Sequence, residues 1–393
     1  MQFKLRMSVV ATMVLASMLA SCGKKDQTAS SSASGDAGAA PGELVVKIAS
    51  VAPMSGSQAH YGKDNANGVQ MAVDEANKQG VTIGGKKVHF VAVLEDDAAD
   101  PKQGTAVAQK LCDAKVAGVV GHLNSGTTIP ASKIYNDCGL PMVTGAATNP
   151  ALTKPGYKNV FRIIANDNVL GAALADEAKK LGLKRVAVID DRTAYGQGIA
   201  EIFTQTAKKN GMEVVSTQFT NDKATDFMAI LTAVKAQTPD AVFYGGMDAQ
   251  AGPMLRQMAQ LGLDKAKFFG GDGICTNELV KLSGGAKPLG NVICGVGGAS
   301  LTKMKGGAEW RKSYDAKFPN QFQVYSPYTY DATMLLIDAM KKADSVDPKV
   351  YLPKLAAEDY QGVTGKITFD DKGEVKDAAT TLFHYPDNKK QEL

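Results

Sequence analysis

Three short loops hold the residues whose types and spacing could do chemistry, and in each case the chemistry is the holding of charge. The first runs Gly121-His122-Leu123-Asn124-Ser125-Gly126-Thr127-Thr128, between an apolar run ending at Val120 and a helix-like segment. Backbone N–H groups at a helix start, with a hydroxyl beside them, would receive a carboxylate. Ser, Gly and Thr before a helix serve equally well as ordinary capping chemistry. The second loop is Thr144-Gly145-Ala146-Ala147-Thr148-Asn149-Pro150, whose small side chains let a ligand approach the backbone while Thr148 offers a hydroxyl. The third, Gly270-Gly271-Asp272-Gly273, sets a carboxylate among glycines. Such a group could pair with an ammonium, or it could be a turn aspartate.

These loops share a place in the chain's rhythm. From Leu44, apolar or β-branched runs alternate with helix-period segments: Val45–Ala49, a helix over about 62–79, His89–Leu94, a helix over 101–114, Val116–Val120, a helix over about 128–136, and Pro141–Val143. The rhythm restarts after Phe161–Ile164, with strands at Arg185–Ile189, Val214-Val215, Ala241–Tyr244 and Lys267–Phe269 and helices near 169–181 and 198–209. Two further helices, 308–318 and 328–342, precede strand-like Lys366–Phe369, a turn at Asp370–Gly373 and a last strand at 380–385. Alternating strands and helices imply parallel sheets covered by helices. In such sheets ligands sit beyond the carboxyl ends of the strands, where all three loops fall.

The N-terminus reads as a processing signal. Lys4 and Arg6 precede an uncharged run, Met7–Ala20, too short to span a bilayer. It ends in Leu19-Ala20-Ser21-Cys22, similar to a bacterial lipobox, so residues 1–21 are expected to be removed and Cys22 to carry lipid. Residues 22–43 are mostly Ser, Ala and Gly and read as a flexible tether. About 350 residues remain, enough for two domains. The formal charge is +4, or +2 once Lys4 and Arg6 are removed, with no basic cluster, which excludes a nucleic-acid binder.

Apart from Cys22, the cysteines are Cys112, Cys138, Cys275 and Cys294, an even set for an oxidising compartment. Two disulfides paired in sequence order are expected, with four free buried thiols as the alternative. No C-x2-C spacing points to a metal, and none is expected. His122 close to Ser125 invites an enzyme reading, but no G-x-S-x-G elbow accompanies it. The expectation is a protein without catalysis or cofactor.

The three loops, with Ala52-Pro53-Met54-Ser55-Gly56, Tyr61-Gly62, Pro130-Ala131-Ser132, Tyr195-Gly196-Gln197-Gly198 and Leu255-Arg256-Gln257, resemble the leucine/isoleucine/valine-binding protein family over about 45–385. The resemblance implies an α/β fold of two doubly wound Rossmann-like lobes joined by three hinge segments, near residues 166, 299 and 377. It divides the chain into an N-terminal lobe of 44–166 and 300–377 and a C-terminal lobe of 167–299 and 378–393. Carried over by position, Ser125, Ala146 and Thr148 hold a ligand's α-carboxylate and part of its ammonium, and Asp272 binds the ammonium. Tyr61 and Tyr195 line and cover the side-chain pocket. Met247 stands where the namesake has a tyrosine, which changes pocket shape and polarity and keeps short amides, urea and aromatic acids open as ligands. Ala99 and Asn124 stand where the namesake has its disulfide. The implied protein is a monomeric, lipid-anchored solute-binding component of an ABC importer at the periplasm or cell envelope, its partners a small amino-acid-like ligand and a membrane permease. A lipoprotein presenting ligand to a sensor is the other reading.

Overall fold

A computed structural model describes residues Gly38–Leu393; the signal, the lipobox with Cys22 and the first part of the tether lie outside the described residues. The chain begins β1 (Leu44–Ala52), α1 (Ala59–Gln79), β2 (Thr82–Ile83), β3 (Lys86–Asp96), α2 (Pro101–Asp113), β4 (Gly118–Gly121), α3 (Ser125–Cys138), β5 (Met142–Thr144) and β6 (Val160–Arg162). These strands form one six-stranded sheet in the order β2-β3-β1-β4-β5-β6, parallel except at the short β2.

There follow α4 (Asp167–Lys180), β7 (Arg185–Asp190), α5 (Ala194–Lys209), β8 (Glu213–Phe219), α6 (Met228–Ala236), β9 (Ala241–Gly245), α7 (Asp248–Gln260), β10 (Lys267–Gly270), α8 (Glu278–Leu282) and β11 (Val292–Val296). The chain then makes α9 (Gly307–Lys317), α10 (Ser326–Ala343) and α11 (Pro348–Ala356). The hairpin β12 (Tyr360–Gly362) and β13 (Gly365–Ile367) comes next, followed by β14 (Thr381–His384) and β15 (Gln391–Glu392). The second sheet has the order β15-β14-β11-β10-β9-β7-β8, with β14 and β15 antiparallel to their neighbours.

Both sheets are wound the same way. The chain lays β3 on one side of β1 and then β4 on the other, and it lays β8 on one side of β7 and then β9 on the other. A reversal of strand order leaves the loops at the carboxyl ends splayed around a crevice. Central strands are apolar on both faces because helices cover both, so Gly118–Gly121, Ala241–Gly245 and Val292–Val296 are buried throughout.

Several helices begin earlier than hydrophobic period indicates. α3 starts at Ser125 rather than near 128, because the N–H groups of Thr127 and Thr128 already bond to the Asn124 carbonyl, at 3.1 and 2.9 Å. α5 starts at Ala194 because Thr193 caps it, its Oγ1 accepting from the Gly196 N–H at 3.0 Å. Periodicity also passed over α6, α7, α11 and β11. The late strand-like run joins neither main sheet; β13 pairs only with β12.

Candidate functional site

The site is built from loops at the carboxyl ends of both sheets. In the six-stranded sheet, the loop after β4 puts Ser125 at the first position of α3, almost fully buried. Its Oγ accepts from the Asn149 N–H at 3.2 Å, which ties the first loop to the second. The neighbouring hydroxyls of Thr127 and Thr128 both turn back onto the Asn124 carbonyl, at 3.0 and 2.7 Å, and so serve the helix start.

In the loop after β5, Thr144 Oγ1 accepts from the N–H groups of Ala146 and Ala147, at 3.2 and 3.0 Å. The guanidinium of Arg162, wholly buried at the end of β6, donates to the carbonyls of Ala147 and Asn149, each at 2.9 Å, and pairs with Glu374. This scaffold leaves the Thr148 hydroxyl fully buried without a hydrogen bond among the described residues.

The second lobe supplies one tight turn. Asp272, 1% exposed, opens a 3-10 turn over Asp272–Ile274 after β10. Its Oδ1 accepts from the Tyr195 hydroxyl at 2.7 Å, the Gly273 N–H donates to the same hydroxyl at 3.0 Å, and Oδ2 has no hydrogen bond. The turn favours glycine at 273, where a Cβ would stand 2.6 Å from the Gly246 carbonyl oxygen. Tyr61, from α1 of the other lobe, donates to the Gly273 carbonyl at 2.7 Å. Met247 is buried at the start of α7, its sulfur packed against Gly273. The fold therefore brings Tyr61, Tyr195, Met247 and Asp272 around one turn. It brings Ser125, Ala146 and Thr148 together on the two linked loops opposite.

Two site residues gave no distinctive sequence signal. Asp167 opens α4 after the crossing from β6; it is fully buried and both its carboxylate oxygens lack a hydrogen bond. Its N–H donates to the Thr148 carbonyl at 2.9 Å. Burial pushes its pKa up to about 8, with the Asp272 charge adding and opposed by the Thr148 hydroxyl, close by without a well-aligned hydrogen bond, and by Arg162. Burial raises Asp272 to about 6, against the Tyr195 and Tyr325 hydroxyls, the latter close by without a well-aligned hydrogen bond. Tyr325 is the second residue, buried with its ring centroid 6.0 Å from that of Tyr61. Asn166-Asp167-Asn168 reads in sequence as helix-cap chemistry, and Asn166 does cap α4. Its carboxylate also lies beside Thr148.

The arrangement suits a zwitterion. A helix start with Ser125 and Thr148 offers donors to a carboxylate, and two buried, uncompensated carboxylates call for a cation. The imidazole of His122 is held by Asp97 at Nδ1 and Tyr135 at Nε2, both at 2.9 Å, so neither nitrogen is placed to activate Ser125. Elsewhere the structure pairs Cys112 with Cys138, Cα atoms 6.1 Å apart, and Cys275 with Cys294, 5.4 Å apart. The second pair ties the residue after the Asp272 turn to β11. Among the described residues no helix is long and apolar enough to cross a membrane.

A two-lobed α/β fold with a ligand crevice between parallel sheets defines a class of capture protein, and the comparisons agree. The periplasmic binding protein family model matches residues 45–390, and the chain belongs to that family. It is 33% identical over 344 residues to the leucine-, isoleucine-, valine-, threonine- and alanine-binding protein of Pseudomonas aeruginosa, covering 86% of this chain and 90% of the relative. A leucine-binding protein from Thermotoga maritima superposes with a TM-score of 0.80 at 26% identity, covering 88% of this chain and 97% of that one. The branched-chain amino-acid transporter substrate-binding protein of Streptococcus pneumoniae, in complex with isoleucine, gives a TM-score of 0.78 at 28% identity over 88% and 98% of the two chains.

Proposed function

We propose that this protein is the extracytoplasmic solute-binding component of an ABC importer, taking a branched-chain or related amino acid into the cleft between its lobes. Closure buries the ligand, and a membrane permease reads the closed shape. The α-carboxylate is assigned to the start of α3 with Ser125 and Thr148, and the ammonium to Asp272 and Asp167. The side chain is assigned to Tyr61, Tyr195 and Met247. Cys22 as a diacylated anchor and a monomeric state complete the reading.

One observation supports it above the rest: Asp167 and Asp272 are both buried without a cationic partner, beside a fully buried hydroxyl that has no hydrogen bond. A ligand that joins a carboxylate to an ammonium answers both halves of that site, and differential contact with the closed form is what drives closure.

The test is a thermal-shift screen of the purified protein against the protein amino acids, short amides, urea and aromatic acids, since a ligand that binds only the folded state raises Tm. A selective rise with leucine, isoleucine or valine is expected. A rise with aromatic acids or amides alone would refute the ligand assignment.

A further inference from the structure

One contact between the lobes lies outside the set that would hold the ligand's charged groups. His60, on α1 against the six-stranded sheet, places Nε2 2.9 Å from Oδ2 of Asp248, the first residue of α7 in the second lobe. The Asp248 side chain is completely buried, whereas His60 keeps about a fifth of its side chain in contact with solvent. The Thr276 hydroxyl donates to the same Oδ2 at 2.6 Å, and Oδ1 has no hydrogen bond. The Tyr61 hydroxyl lies near but is directed to the Gly273 carbonyl. The His60 ring is held against the Tyr61 ring, centroids 4.2 Å apart, so the contact borders the ligand cleft.

We infer that His60 and Asp248 form a latch across the cleft that sets how long a captured ligand stays. The inference rests on the capture reading above. When the lobes part, Asp248 leaves His60 and water solvates its carboxylate. When they close, that carboxylate enters a dry site where the Thr276 hydroxyl and His60 Nε2 are its hydrogen-bond partners. Removing one partner of a buried pair costs far more than removing both, because a lone charge is left without solvent. The latch therefore acts on the closed form alone, on ligand release rather than on encounter.

The experiment is a double-mutant cycle on the whole protein, with leucine as the probe and dissociation followed by stopped-flow fluorescence. His60→Ala is expected to speed dissociation at least tenfold with association unchanged, His60→Gln to recover part of the loss by restoring a donor, and His60→Ala/Asp248→Asn to release more slowly than His60→Ala but still faster than wild type. The ligand-free Tm of His60→Ala should match wild type; a fall of several degrees would make the pair a fold contact and overturn the latch. Electron-electron distance measurements between spin labels at Lys102 and Asn221, one on each side of the cleft, report the closed fraction with and without leucine. If leucine does not bind and the closed fraction still falls in His60→Ala, the ligand assignment fails and the latch stands. If leucine binds but leaves both proteins equally fast, with equal closed fractions, the latch fails and the ligand assignment stands.

Discussion

Asp272→Asn is expected to act in opposite directions on the liganded and ligand-free protein. In the closed cleft, burial lifts Asp272 from 3.8 to about 6, and at about 1.4 kcal/mol per pKa unit that is roughly 3 kcal/mol of cost for keeping the carboxylate charged. A ligand ammonium seated against it cancels that cost. Asparagine keeps the shape and an acceptor for Tyr195 but supplies no charge, leaving a buried ammonium to Asp167 alone. The loss is about 2–3 kcal/mol, a rise in Kd of roughly 30- to 150-fold. In the ligand-free protein the same substitution removes the cost of closing, so the closed population rises.

Acidification should do the same to the wild type. The closed, ligand-free form has raised carboxylate pKa values, about 8 at Asp167 and about 6 at Asp272, and so binds more protons than an open form whose carboxylates are hydrated. Lowering the pH from 8 to 5 therefore favours closure without ligand. Calorimetry with leucine measures the first effect, and small-angle scattering of the ligand-free protein across that pH range measures the second. A Kd within threefold of wild type, or a radius of gyration that grows on acidification, would refute the reasoning.

Two further outcomes follow from the supports of the site. Glu374 is half-buried, but its bonds to Arg162 and Thr153 outweigh burial and hold its pKa below the ordinary value. Glu374→Gln strands the buried guanidinium and should cost about 3 kcal/mol, a fall in Tm of roughly 5 °C by differential scanning calorimetry. Because the folded-state pKa is depressed, this stabilisation is full above the unfolded pKa and is lost as pH falls through the folded one; no change in Tm would refute it. Cys275 and Cys294 close a loop of 19 residues, so the double alanine variant should lose about 3 kcal/mol. Alkylation of the unreduced, unfolded protein at either cysteine, read by mass spectrometry, would show that the bond is absent.

Alternation of apolar runs with helical period was enough to place parallel strands and covering helices, because both periods are local properties of the chain. The same locality put the loops holding Ser125, Thr148 and Asp272 at strand ends, since Gly, Ser and Thr clusters interrupt either period. Local pattern fails where an element's identity depends on what it packs against. Periodicity passes over α6, α7 and the strand Val292–Val296, and the run near Ile367 pairs with β12 and bridges from Phe369 to Val375 without joining either main sheet.

The site divides along the same line. Residue type and position named the groups able to hold charge, but not which of them would be left without partners. Thr127, Thr128 and Thr148 look alike in sequence, yet two hydroxyls turn back onto Asn124 while the third has no hydrogen bond. Asp167 and Asp272 stand 105 positions apart in the chain; Asp272 stands out among its glycines, whereas Asp167 reads only as part of a helix start. Burial among the elements of both lobes takes both carboxylates out of water, and there the Asp272 charge adds to the cost of charging Asp167. The sequence determines which groups can carry charge and where the chain turns; the tertiary structure decides which charges are desolvated together, because desolvation depends on what surrounds a group in space.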